Sequence, residues 1–193
     1  LLASGYRQVA GVDEVGRGAL AGPLVAAAVI LDLAQIPQGI DDSKKLTSAR
    51  REYLAQEIRR TARVVSLALI ESRQVDQLNV GRATRLAMRQ AVEQLKIRPD
   101  YLLIDAMRLN DLPIPQQGIV HGDALSVSIA AASIIAKVAR DELMRQYDQM
   151  YPGYGFARNV GYGTLEHRRA IVQLGPSAIH RLSFRGVAPD LFS

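Results

Sequence analysis

Asp13 and Glu14 stand side by side in Gly11-Val12-Asp13-Glu14-Val15-Gly16-Arg17-Gly18, at the end of an apolar run of Val9, Ala10 and Val12. Carboxylates at a strand end are costly to bury unless a cation or a hydrogen-bond network compensates them. The glycine-rich turn that follows offers backbone amides and one guanidinium, groups suited to phosphate and hydroxyl contacts. Two further acids sit at a strand end or beside glycine: Asp105 after Leu102-Leu103-Ile104, and Asp123 after Gly122. Hard divalent cations take a few carboxylates plus water and substrate phosphate. Two such ions, roughly 3.5–4 Å apart, can clamp the attacking and leaving oxygens of an in-line displacement. Acids for a metal beside a loop for a phosphate point to phosphodiester chemistry. Other acids read differently. Asp111 and Asp148 are expected in caps or turns, and Asp141 in an ion pair with a neighbouring arginine. Asp123 is balanced between a ligand and ordinary Gly-Asp turn chemistry.

These side chains need elements to aim them. Residues 8–14, 24–31 and 64–70 read as three strands, the first two joined by the loop 16–23. Residues 101–105 and 118–123 read as two more. Helices are expected at 48–62 with Ser48 as N-cap, at 80–95 with an apolar stripe of Ala83, Leu86, Ala87, Ala91 and Leu95, at 127–147, and at 165–174. Short links make the early strands an antiparallel meander. The later two alternate with helices and should run parallel to the first. The expectation is an α/β fold: a mixed five-stranded sheet, three antiparallel strands plus two parallel, flanked by helices. Neighbouring residues on a strand face opposite sides. Asp13 and Glu14 can therefore share a site only if the strand ends or bulges there.

The 193 residues suffice for one domain with its own core. Hydrophobic residues make up 48%, which excludes a disordered chain. There is no cysteine, which excludes disulfides and thiolate chemistry and agrees with a cytoplasmic location. No apolar run reaches membrane-spanning length, and the start is not a secretory signal. It also lacks methionine, which leaves open a segment upstream. The net charge of +5 favours a polyanionic partner.

Taken together the segments resemble bacterial ribonuclease HII, the type 2 ribonuclease H family. The resemblance is carried in order by Asp13-Glu14-Val15-Gly16-Arg17-Gly18, Asp42-Ser43-Lys44-Lys45-Leu46, Leu103-Ile104-Asp105 and Gly122-Asp123. It continues through Ala130 to Val138 with Arg140-Asp141, Gly161-Tyr162-Gly163-Thr164 and His180-Arg181-Leu182-Ser183-Phe184. Adjacent Asp-Glu separates this family from type 1 ribonuclease H, and Arg17 between glycines resembles HII rather than HIII. The resemblance implies a ribonuclease H-like domain over residues 1–193, with a helical substrate-binding region from about residue 150. It implies that Asp13, Glu14, Asp105 and Asp123 are catalytic and hold two magnesium or manganese ions. The implied substrates are RNA–DNA hybrids and duplex DNA with single embedded ribonucleotides. Gly16, Arg17 and Gly18 would read the 2′-hydroxyl, Ser43, Lys44 and Lys45 would hold phosphates, and Tyr162 would stack on the next deoxyribose. A monomer is implied. Three positions depart from the pattern: Ala106-Met107 for Gly-Asn, Asn159-Val160 for His-Lys, and Gly186 for proline.

Two other functions compete. Gly16, Gly18 and Gly22 follow a strand as in a dinucleotide-binding turn, but their spacing is one residue too long, and Pro23 leaves no helix for a pyrophosphate. A non-catalytic hybrid binder needs a basic surface but no acids. Arg82, Arg85 and Arg89 read as a solvated helix face, and His121, His167 and His180 as structural residues. Asp190-Leu191-Phe192 resembles sliding-clamp docking peptides in three residues only; a frayed or locally packed tail is the expected outcome.

Overall fold

The computed structural model describes residues 1–188. The clamp-like tripeptide 190–192 lies outside them. Strands β1 (Val9–Val15), β2 (Leu24–Ile30), β3 (Val64–Ile70), β4 (Tyr101–Asp105) and β5 (Gln116–Ile119) form one sheet in the order β3-β2-β1-β4-β5. β1, β2 and β3 pair antiparallel, while β4 and β5 run parallel to β1. The expected mixed sheet is therefore present. One detail differs: a loop, not a helix, joins β4 to β5. β5 also ends at Ile119, so Asp123 is not on a strand. The αL turn at His121 (φ 56°) breaks the extended run and starts the short helix α4 (Gly122–Leu125).

The remaining helices are α1 (Ser48–Thr61), α2 (Ser72–Leu78), α3 (Val80–Glu93), α5 (Val127–Met150), α6 (Phe156–Asn159) and α7 (Leu165–Leu174). Thr47, not Ser48, caps α1: its hydroxyl accepts the Arg50 N–H. The rotamer-stiff hydroxyl one residue earlier satisfies the orphan amide of the first turn. The α3 stripe is rotated from expectation, with Thr84, Met88 and Val92 joining Ala83, Ala87 and Ala91 in the core, while Leu86 is only partly buried.

Strand alternation divides the core into two layers. Ala10 and Val12 of β1 face one side with Leu24, Ala26, Ala28, Leu102 and Ile104, against α3. Val25, Ala27 and Val29 face the other, against α1 and α5. Helix α5 lies tight on β1, because a Cβ at Gly11 would collide with the Ser128 carbonyl. Only a glycine strand residue lets the helix backbone approach so closely. That contact sets the height of α5, and so which of its residues stand beside the end of β1. A third cluster, around Phe156, Ala170, Ile171 and Ile179, joins the C-terminal helices to Leu20 and Ala21 of the loop after β1.

Candidate active site

Asp13 projects from β1 on the α5 side, and Asp105 ends β4 on the same side. By strand alternation Glu14 leaves β1 toward the opposite, α3 side, as does its β2 partner Ala26. β1 keeps an unbroken antiparallel register with β2 through Val15↔Val25, so it neither ends nor bulges at Asp13, contrary to the sequence expectation. On its other edge the pairing with β4 stops at Val12↔Ile104. The open edge leaves room for the longer Glu14 side chain to come round. One carboxylate oxygen each of Asp13, Glu14 and Asp105 lie within 4.8 Å of one another.

These acids differ in their supports. Asp13 is buried and accepts the Glu14 N–H at 2.7 Å. Burial, then the nearby Glu14 and Asp105 charges, push its carboxyl well above the usual aspartate range, against the opposing pull of the Ser133 hydroxyl. Burial also raises Glu14, opposed chiefly by the Arg17 guanidinium, whose Nη1 lies 3.3 Å from Glu14 Oε1. Glu14 Oε2 is buried with no hydrogen-bond partner. Asp105 Oδ1 accepts the Gly122 N–H at 2.8 Å, so β4 and α4 are tied together at the site.

Asp123 stands apart from the three. Its Oδ2 accepts a hydrogen bond from Lys44 Nζ at 2.9 Å, and it is not within the close carboxylate group. Lys44 is thereby held protonated more firmly than usual, the Asp123 hydrogen bond being the main cause.

A cleft of about 390 Å³ opens over the acids, lined by Asp13, Glu14, Asp105, Gly16, Arg17, Gly18, Ser43, Lys44 and Tyr162, all singled out from sequence. Lys45 does not line it and pairs with Asp41 at 3.3 Å. Among the polar lining residues, sequence reasoning gave no site role to two, Ser133 and Lys137. Their signal was available: they are four apart on the otherwise apolar face of α5, hence one above the other. Ser133 Oγ lies 2.9 Å from Ser43 Oγ, which ties the 41–47 segment to α5. Asp141 pairs with Lys137 at 2.7 Å and with Arg51 of α1 at 4.0 Å, so its nearer partner is a lysine and the pair is half-buried rather than on the surface.

Two buried arginines build the loop wall. Arg140 donates to the carbonyls of Pro23 (2.9 Å), Val160 (2.8 Å) and Ala21 (3.1 Å). Arg181 donates to Gly22 at 2.8 Å and to Arg17 at 3.0 Å. Gly16 takes a left-handed φ of 93°, and a Cβ there would collide with Arg140. Gly18 needs no such freedom, and its Cβ would meet nothing closer than Tyr162 at 4.0 Å. The Tyr162 ring lies 5.5 Å from the Arg140 guanidinium.

The dinucleotide reading fails here, because β2 rather than a helix follows the glycine loop. The donor set suits a hard cation: three carboxylates, one buried oxygen without a partner, and one half-exposed guanidinium as their nearest compensation. Among the described residues no helix is long and apolar enough to cross a membrane.

Comparisons with known proteins agree with this arrangement. The sequence pattern of the family Ribonuclease HII matches residues 10–187. Ribonuclease HII of Geobacter sulfurreducens is 56% identical over 187 residues, covering 97% of this chain and 86% of that protein. The ribonuclease H2 of Pyrococcus horikoshii has a similar structure, with a TM-score of 0.78, 25% identity, and coverage of 94% of this chain and 95% of that one. So does the RNase HII solved in complex with PCNA from Archaeoglobus fulgidus, with a TM-score of 0.81, 26% identity, and coverage of 93% and 96%. Placed beside the acid cluster and the mixed sheet, these matches show that the chain is a nuclease and belongs to the ribonuclease HII family.

Proposed function

We propose that the protein hydrolyses the RNA strand of RNA–DNA hybrids and nicks duplex DNA on the 5′ side of single embedded ribonucleotides. The observation that carries this reading is the convergence of Asp13, Glu14 and Asp105 beside a loop whose Gly18 the fold itself does not require to be glycine. A glycine with no internal reason marks a place where something outside the chain comes close.

Asp13, Glu14 and Asp105 would hold divalent ions, magnesium or manganese, and Asp123 would be available to join them if Lys44 released it. Two such ions, when bound, would supply the positive charge for activating a water and stabilising the leaving 3′ oxygen in an in-line hydrolysis that gives 5′-phosphate and 3′-hydroxyl ends. The chain's own residues do the positioning. Backbone groups of Gly16, Arg17 and Gly18 read the 2′-hydroxyl, which alone distinguishes RNA from DNA at one sugar. Ser43 and Lys44, which line the cleft, hold backbone phosphates. Tyr162 packs on the following deoxyribose, so the region from about residue 150 serves as the substrate-binding part of a single domain that acts as a cytoplasmic monomer. A sliding clamp is a candidate partner, since an archaeal relative has been solved with PCNA.

The test is cleavage of a duplex carrying one ribonucleotide, with products mapped at nucleotide resolution, with and without chelator. Nicking 5′ of the ribonucleotide that stops with chelator is expected. Hybrid binding without cleavage in magnesium or manganese overturns the reading in favour of a non-catalytic binder.

A further inference from the structure

The chain has three histidines, and two of them, His167 on α7 and His180 beyond it, are buried against each other. Their Nε2 atoms lie 3.1 Å apart. At one end the Ser177 N–H, which can only donate, points to His180 Nδ1 at 2.8 Å. At the other end His167 Nδ1 lies 2.9 Å from the Tyr162 carbonyl, which can only accept. Those two ends decide every proton between them. His180 must be protonated on Nε2 and accept on Nδ1; His167 must accept on Nε2 and donate from Nδ1. The result is a one-way hydrogen-bond chain from Ser177 through both rings to the backbone of Tyr162.

We infer that this histidine pair is a positioning device for Tyr162, setting the loop that carries its ring over the cleft. The inference rests on the reading of Tyr162 as a substrate contact. Two neighbouring features explain why the loop needs an anchor. Val160, a β-branched residue two positions earlier, has a φ of 43°. Such a conformation persists only where its surroundings over-determine it. Gly161 hands its carbonyl to the Leu20 N–H at 2.8 Å, so this strained segment is also stitched to the loop after β1. The Asn159 side chain and Arg140 hold the loop before Tyr162, while the Tyr162 carbonyl accepts the Thr164 N–H at 2.8 Å on its far side and uses its second lone pair for the His167 imidazole. Phe156 packs edge-on to His167 with centroids 5.3 Å apart, and Tyr154 sits 5.0 Å from His180, which locks both rings. Two apolar side chains could fill this space, but they could not donate to the Tyr162 carbonyl.

The test combines a variant series with a direct measurement on the unaltered protein. Single-turnover nicking of a duplex with one ribonucleotide is measured for His167→Leu and His167→Asn, each alone and with Tyr162→Ala. Leu keeps bulk without a donor; the Asn amide can replace Nδ1–H. Expected is a loss of about tenfold for His167→Leu, the scale of one buried hydrogen bond, and less than about threefold for His167→Asn. With Tyr162→Ala present, His167→Leu should cost less than about twofold more. Equal losses in both backgrounds, or a full-rate His167→Leu, overturn the inference. If Tyr162→Ala itself cuts at the parent rate, the substrate role of Tyr162 fails instead. Long-range ¹H–¹⁵N correlation of the three imidazoles in the parent protein is independent of any variant's folding. One buried ring protonated at Nδ1 and one at Nε2 is expected; both at Nε2 overturns the hydrogen-bond chain.

Discussion

The Lys44 ammonium sits on the Asp123 carboxylate at 2.9 Å, with the lysine side chain 78% exposed and the aspartate side chain 6% exposed. One member of the expected acid quartet is thus already neutralised by an exposed cation from the neighbouring segment. The pair is lopsided: an exposed ammonium is held weakly, about 1 kcal/mol or less. A lysine so placed can trade Asp123 for a substrate phosphate. Lys44→Met should raise the affinity of the substrate-free protein for manganese by up to about threefold, read by calorimetry, while weakening hybrid binding. Unchanged manganese affinity would mean that Asp123 plays no part in ion binding.

Asp13→Asn should lower cleavage by at least about a hundredfold, since a carboxylate is lost from the proposed ion-binding group. It should also stabilise the ion-free protein, by about 1 kcal/mol or 2–4 °C in Tm. Burial beside Glu14 and Asp105 raises the Asp13 carboxyl. Between its unfolded and folded values the native state therefore binds more protons, so ion-free stability falls as pH rises through that window. Urea unfolding in chelator at several pH values should show this slope in the parent and a flatter one in the variant.

The glycines flanking Arg17 should separate fold from function. Gly16→Ala forces a side chain into Arg140 at a left-handed φ, and should destabilise by about 2 kcal/mol or more. Gly18→Ala has space within the chain and should leave stability within about 0.5 kcal/mol, yet slow cleavage of ribonucleotide-containing duplexes. A Gly18→Ala protein with parental kcat and KM would remove that glycine from the substrate contact.

If Tyr162 packs on the deoxyribose at the RNA-to-DNA junction as proposed, Tyr162→Ala should slow cutting at a single embedded ribonucleotide by about tenfold, and cutting within long RNA tracts less. Equal losses on the two substrates would contradict the assignment.

The histidine pair makes an opposite pH signature to Asp13. Burial, and then His167, lower His180 to about 4. The groups around it are Tyr154, Phe156, His167 and Ser177, with Arg73 and Asp76 across the adjoining cavity. Between about 4 and the ordinary 6.5 the unfolded chain binds the extra proton, so stability is complete above that window and is lost as pH falls through it. His180→Asn should be less stable at neutral pH but show a shallower loss between pH 6.5 and 4. Parallel stability curves for variant and parent would show that His180 is not the group responsible.

Much of this protein was legible along the chain because its signals are local. Strand runs such as Leu24–Ile30 are apolar throughout since both faces of β2 are covered, and the order of acids, glycines and Tyr162 stands in one dimension. The family resemblance needed no more than that order. What local signals could not give is whatever depends on distance. The meeting of Asp13 and Glu14 follows from β4 ending its pairing with β1 at Ile104, a long-range register that no alternation pattern records. The retirement of Asp123 onto Lys44 and the choice of Ser133 as a partner of Ser43 depend on how high α5 sits, which the Gly11–Ser128 contact decides. His167 and His180, thirteen residues apart and unremarkable by spacing, become one hydrogen-bonded unit only because α7 ends at Gly175, with its left-handed φ of 74°, and the turn at 178–179 brings the chain back. Side-chain chemistry is written residue by residue; which oxygens and nitrogens face each other is decided by packing between segments far apart in the chain.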